Sequence, residues 1–188
     1  MNVQIVRQGE IWQYNPLTEG YTNDDVFHAI TGTPAVSSNK LRLNADEVIS
    51  YDKRFKNGSM EFLITIPTAP ASGDVRQIGL KNNDNKGAML FDITDTAFTA
   101  KVYDASGTII ATKTINWSSG WTAAEARYRI SWGERDVYFA INDTIVARFE
   151  AGVDKDITED KIIGKNPIAI YLKNSNSDNM DVSLINFS

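Results

Sequence analysis

Between positions 53 and 150 apolar and polar residues alternate in short runs, each closed by a turn rich in Gly, Pro, Asn or Asp. A period of two is that of a strand with one face in a core and one in solvent. Met60, Phe62, Ile64 and Ile66 alternate with Glu61, Leu63 and Thr65, and Pro67 ends the run. Residues 75–81 predict the next strand, and 82–87 a turn. Residues 88–93 and 97–103 predict a hairpin around Thr94-Asp95-Thr96. Residues 108–116, 126–132 and 137–141 continue the series, and Asn142-Asp143 suits a two-residue turn into Ile145, Ala147 and Phe149. Residues 167–173 and 180–187 read as closing strands.

The first third is less regular. Residues 4–6 and 10–13 read as short strands. Residues 15–39, rich in Gly, Pro, Asn, Asp and Thr, read as loop with one strand near 27–30. Residues 40–43 and 48–50 are expected to pair with each other. The charged stretch 152–165 carries the only helix signal, near 157–161. Roughly twelve to fourteen strands with no linker or repeat predict one all-β domain over 1–188, an antiparallel two-sheet β-sandwich.

Composition narrows the chemistry. The net charge is −5 and the cations are scattered, so neither a nucleic-acid groove nor membrane attachment is expected. No apolar run is long enough for a membrane helix. There is no cysteine, which removes disulfides and thiolate chemistry and favours a bacterial or phage source. No export signal is visible at residues 1–7. The single histidine, His28, lies in the loop-rich third, so a Ser-His-Asp arrangement has little to build on.

Several motifs in order carry a family resemblance. Phe55, Gly58, Glu61 and Ile64, with Phe62, fit a strand of the form Phe-x-x-Gly-x-x-Glu-x-x-Ile. Gly120-Trp121 leads to Tyr128, Ile130 and Trp132, and then to Phe139, Ile141, Asn142 and Asp143. This order resembles the concanavalin A-like jelly rolls: legume-type lectins, laminarinase-type glucanases and laminin-G-like modules. The match is best over 53–150, and 180–187 resembles the final strand, which returns beside the first. The resemblance implies a jelly-roll β-sandwich with Trp121 and Trp132 in its core. It leaves sugar cleavage, sugar binding and structural work open.

The glucanase branch needs carboxylates at i, i+2 and i+4, which share one face of a strand. The corresponding strand reads Phe91-Asp92-Ile93-Thr94-Asp95, in which Asp92 and Asp95 fall on opposite faces. Catalysis is therefore not expected. Sugar binding would use exposed aromatics, for which Trp12, Tyr14, Tyr21 and Trp117 are the candidates. Trp12 and Tyr14 are expected on a loop, because Asn15-Pro16 ends the local pattern. Asn82 with Asp84, and Asn174 with Asp178, offer oxygen ligands for calcium, although Asn and Asp are also the ordinary residues of turns. No other cofactor is expected.

The main expectation is a non-catalytic surface component of a bacteriophage virion, a decoration or tail-associated protein. It would be made in the host cytoplasm and act through contacts with other subunits or with copies of itself. The alternatives are an extracellular carbohydrate-binding module or lectin with glycan partners, and then a glucanase-like glycoside hydrolase.

Overall fold

The computed structural model describes residues 5–6, 11–16, 28–82, 86–115, 124–153 and 168–188. Within them the strands are β1 (Ile5–Val6), β2 (Trp12–Tyr14), β3 (His28–Thr31), β4 (Ala35–Ser37), β5 (Lys40–Leu43), β6 (Glu47–Phe55), β7 (Gly58–Thr65) and β8 (Val75–Lys81). They continue with β9 (Ala88–Thr94), β10 (Phe98–Tyr103), β11 (Ile109–Ile115), β12 (Glu125–Trp132), β13 (Asp136–Ile141), β14 (Thr144–Glu150), β15 (Ile168–Asn174) and β16 (Met180–Phe187). No helix among these residues is long and apolar enough to cross a membrane.

The strands form two sheets. The first runs β1-β6-β15-β8-β9-β10-β11, with β3 also on β6; the second runs β14-β13-β12-β7-β16-β5-β4, with β2 also on β16. The described pairings are antiparallel except β1 with β6. The protein is thus an antiparallel two-sheet β-sandwich.

Alternation sets the core. Met60, Phe62 and Ile64 of β7 and Tyr128, Ile130 and Trp132 of β12 meet Ile78 and Leu80 of β8 and Met89, Phe91 and Ile93 of β9. Phe91 lies at its centre, with ring centroids 5.1 Å from Phe139, 5.4 Å from Tyr128 and 5.9 Å from Phe98. Phe55 stacks on Phe187 at 4.7 Å, and Phe187 lies 6.0 Å from Trp132. Ile141, half-buried at the end of β13, packs against the same cluster. Aromatic pairs at 4.5–7 Å add to the apolar burial that stabilises the sandwich. Trp121 lies outside the described residues.

Three expectations are corrected. Residues 40–43 and 48–50 do not pair: β5 joins β4 and β16, whereas β6 joins β15 in the opposite sheet. The turn between them is a corner from one sheet to the other. Glu47 holds it, accepting the backbone N–H of Asn44 at 2.7 Å and of Thr33 at 3.1 Å. Residues 35–37, read as loop, form β4. Trp12 and Tyr14, expected on a loop, form β2 against the end of β16. The weak helix signal near 157–161 lies outside the described residues.

Candidate functional site

The first sheet turns one face to the core and the other outward. On β9 the inward positions are Met89, Phe91 and Ile93, so Ala88, Leu90 and Asp92 face out. Register brings their partners alongside. Asp92 stands opposite Gln77 of β8 and Thr99 of β10, and Gln77 stands opposite Lys173 of β15. The neighbouring rows place Tyr171 opposite Gly79, and Lys81 opposite Ala88, which pairs with Tyr103.

Asp92 is the one carboxylate among the described side chains of this face. It is buried, and each oxygen receives a donor. Gln77 Nε2 donates to Oδ2 at 2.8 Å and Lys101 Nζ to Oδ1 at 3.0 Å. Thr99 Oγ1 donates to the Asp92 carbonyl at 3.2 Å. Both carboxylate oxygens thus have a fixed partner, and the side chain is held in one orientation. Beside it Ala88, Leu90 and Tyr171 form a second apolar cluster, with Val48 and Tyr103 packed against it. The Lys81 ammonium sits 4.9 Å from the centre of the Tyr171 ring, a cation–π contact. Burial raises the Tyr171 phenol above its usual range. Tyr103 is raised by burial and then by the charge of Asp92. Both therefore stay protonated at neutral pH.

The residues singled out in the sequence lie elsewhere. Tyr14 is wholly buried in the core. Trp12 packs 4.9 Å from the Tyr51 ring and 5.4 Å from that of Phe55, with Lys53 over it at 5.9 Å. Strand pairing to β16 carries both residues onto the sandwich, so neither is a loop aromatic. Tyr21, Trp117 and Asp84 lie outside the described residues.

Asn82 is buried beside the turn after β8, its N–H donating to the Gly87 carbonyl at 2.8 Å. Asn174 is fully buried, and its side-chain oxygen is taken. Oδ1 accepts from Arg76 Nε at 3.1 Å and from the Asn176 N–H at 3.2 Å. Nδ2 donates to the carbonyls of Leu43, Asn44 and Asp178 at 3.0, 3.1 and 2.9 Å. Asp178 Oδ2 accepts from Thr68 Oγ1. A guanidinium and an amide thus fill the place where the sequence suggested a calcium ligand. Among the described residues no group of three or more His, Asp or Glu is arranged to hold a metal ion.

Gln77, Lys101, Tyr103, Lys173 and Tyr171 were not singled out by sequence. Their signal was parity: each stands out of phase with the core positions of its strand. Which of them become neighbours is a matter of register between strands far apart in sequence, as between Gln77 and Lys173.

No protein-family model matches the chain, and no curated protein sequence matches it. Solved structures do. The apo Crh5 transglycosylase superposes with a TM-score of 0.74 at 15% identity, covering 95% of this chain and 83% of that one. The catalytic domain of an endo-1,3-β-glucanase (laminarinase) from Thermotoga petrophila gives 0.72 at 10% identity, over 94% of this chain and 95% of that one. A Bacillus licheniformis β-glucanase gives 0.70 at 11% identity, over 96% and 99%.

These matches show the fold: the chain is a concanavalin A-like jelly roll. They also correct the main functional expectation. Structures that share its architecture over nearly the whole length of this chain include glucanases and a transglycosylase, which weighs against a non-catalytic virion component and against the expectation that the chain is no enzyme. That expectation rested on a carboxylate pattern sought within one strand, whereas the outward face is assembled from β6, β15, β8, β9 and β10 together.

Proposed function

We propose that the chain acts on a polysaccharide, in the manner of the glycoside hydrolases and transglycosylases that share its fold, with the glycan lying across the outer face of the β9 sheet. The observation that carries the reading is Asp92. It is an outward carboxylate in the middle strands of that sheet, fixed by Gln77 and Lys101 beside the buried apolar cluster of Leu90 and Tyr171. The Crh5 transglycosylase, one of the similar structures, was also solved in complex with NAG. In this reading the partly exposed Gln77 and Tyr103 meet the sugar, above the buried Leu90 and Tyr171. Asp92 stabilises the positive charge that develops at the anomeric carbon as its C–O bond to the leaving sugar breaks; water supplies the hydroxyl that adds to that carbon and the proton that the leaving oxygen takes.

A second reading, glycan binding without bond cleavage, is favoured by one specific observation. Retaining hydrolysis uses two carboxyl groups about 5 Å apart, and the described face supplies one.

The test is incubation with laminarin, mixed-linkage glucan and chitin oligosaccharides, following reducing ends and the redistribution of chain lengths. Products from the native chain, falling at least about 100-fold with Asp92→Asn, support the first reading. Saturable binding without products establishes the second. Neither binding nor products overturns both.

A further inference from the structure

The chain as a whole is acidic, with a net charge of −5. On this face the described side chains of β8, β9, β10 and β15 carry Lys81, Lys101 and Lys173 against Asp92: register sets Lys81 opposite Ala169 and Lys173 opposite Gln77, which bonds Asp92. Lys101 is spent on Asp92. Among the described residues no carboxylate pairs with Lys81 or Lys173. The outward face of the second sheet contrasts with this. There Arg42 pairs with Asp181, Lys40 with Glu125, and Arg127 with both Glu61 and Asp143, so its charges cancel locally.

We infer that the polysaccharide this face takes is an anionic one, carrying carboxylate or sulfate groups along its chain. The inference rests on the glycan reading above and narrows its substrate class. Lys81 and Lys173 lie along the strand direction, Lys173 opposite Gln77 and Lys81 four positions further along β8, about 13 Å at the rise of an extended strand. A polymer with repeating anionic groups can meet both ammonium groups, which are partly exposed. The Tyr171 ring holds the Lys81 ammonium in place, so less side-chain freedom is lost when an anion arrives. A neutral glucan would bring neither ammonium group a countercharge.

Affinity electrophoresis of the full chain, in gels containing laminarin, a polyuronate or a sulfated galactan, tests this. Retention by one or both anionic polymers, and weaker retention by laminarin, is expected. The retention should fall as salt rises. Lys173→Glu and Lys81→Glu should each weaken it roughly fivefold, whereas Lys56→Glu, in the exposed turn between β6 and β7, should leave it unchanged. The uronate and sulfate gels separate the two sources of charge. Salt-independent retention on laminarin equal to or above that on the polyanions overturns the inference and leaves the glycan reading standing. Retention on no polymer by a folded protein, checked by circular dichroism, overturns both.

Discussion

Arg76 and Asn174 face each other across β8 and β15, Arg76 Nε donating to Asn174 Oδ1 at 3.1 Å with both side chains wholly buried. The guanidinium also donates to the carbonyls of Thr68 and Asp178. Burial lowers its pKa from the usual arginine value, against the opposing pull of Asp178, Tyr128 and Asp74. The pair closes one end of the sandwich, where Asn174 also gathers the carbonyls of Leu43, Asn44 and Asp178. Asn174→Ala would leave a buried cation short of an acceptor and three carbonyls short of a donor. Such losses cost about 3 kcal/mol, to be read as a lower urea midpoint at unchanged slope. Because a guanidinium already fills this place, calcium or a chelator should leave the native Tm unchanged. A calcium-dependent rise would show that the Asn174–Asp178 loop binds the ion after all.

Gly58 is the glycine of the Phe-x-x-Gly motif, and the structure explains the residue. Its φ is +142°, and a Cβ there would lie 2.5 Å and 2.7 Å from two ring carbons of Phe187 and 3.0 Å from the Ser188 carbonyl oxygen. Phe187 cannot retreat, because Phe55 and Trp132 pack on it. Gly58→Ala should therefore destabilise by about 2–3 kcal/mol, strain and overpacking together. Thermal melts would show this directly. A variant within 0.5 kcal/mol of the native chain, a difference on the scale of an ordinary surface substitution, would mean that the β16 end yields easily.

That motif also shows how much was legible. Strands at 75–81 and 180–187 were readable to their ends, because alternation and turn residues are local and both bracket them. What escaped were relations made by pairing at long range. Trp12 and Tyr14 precede an Asn-Pro turn signal, yet β16, more than 170 residues away, recruits them as an added strand. The corner at Glu47 looks like a hairpin turn until the two flanking strands are found in different sheets. The candidate site was half visible. Asp92 could be seen as a strand carboxylate, but Gln77 and Lys101, 15 and 9 positions away, become its partners only through the register of β8, β9 and β10.

Buried tyrosines set the alkaline limit of stability. Tyr128 and Tyr171 are both buried, and burial raises both phenols above the usual tyrosine value. In the unfolded chain they titrate near pH 10. Above that pH the unfolded state has released protons that the folded state still holds. Stability is thus fully present below about pH 10 and falls above it, by up to about 1.4 kcal/mol per pH unit for each tyrosine. Urea unfolding between pH 8 and pH 11.5 should show a plateau followed by this decline. Tyr128→Phe should lose stability at pH 8 yet decline less steeply. An equal slope in the variant would assign the alkaline loss to other groups.

The β13–β14 hairpin closes through Asn142 and Asp143, both at positive φ, 46° and 66°, which a two-residue type I′ turn requires. Asn142 is tied in place: its N–H donates to the Arg127 carbonyl at 2.9 Å, and its Oδ1 accepts the Arg127 N–H at 2.9 Å. Asp143 is exposed and only forms ion pairs, 3.1 Å to Arg127 and 3.6 Å to Arg129. Glycine at 143 would relieve the left-handed conformation, a gain of about 0.4–1 kcal/mol. It would also remove two exposed ion pairs, each of little value and weaker still in salt. Asp143→Gly should therefore raise the Tm by about 2 °C in 0.5 M salt and by less at low ionic strength. If the advantage were instead larger at low salt, Asp143 would be repelled in the native turn rather than held by its arginines, and the ion pairs of this face would need another reading.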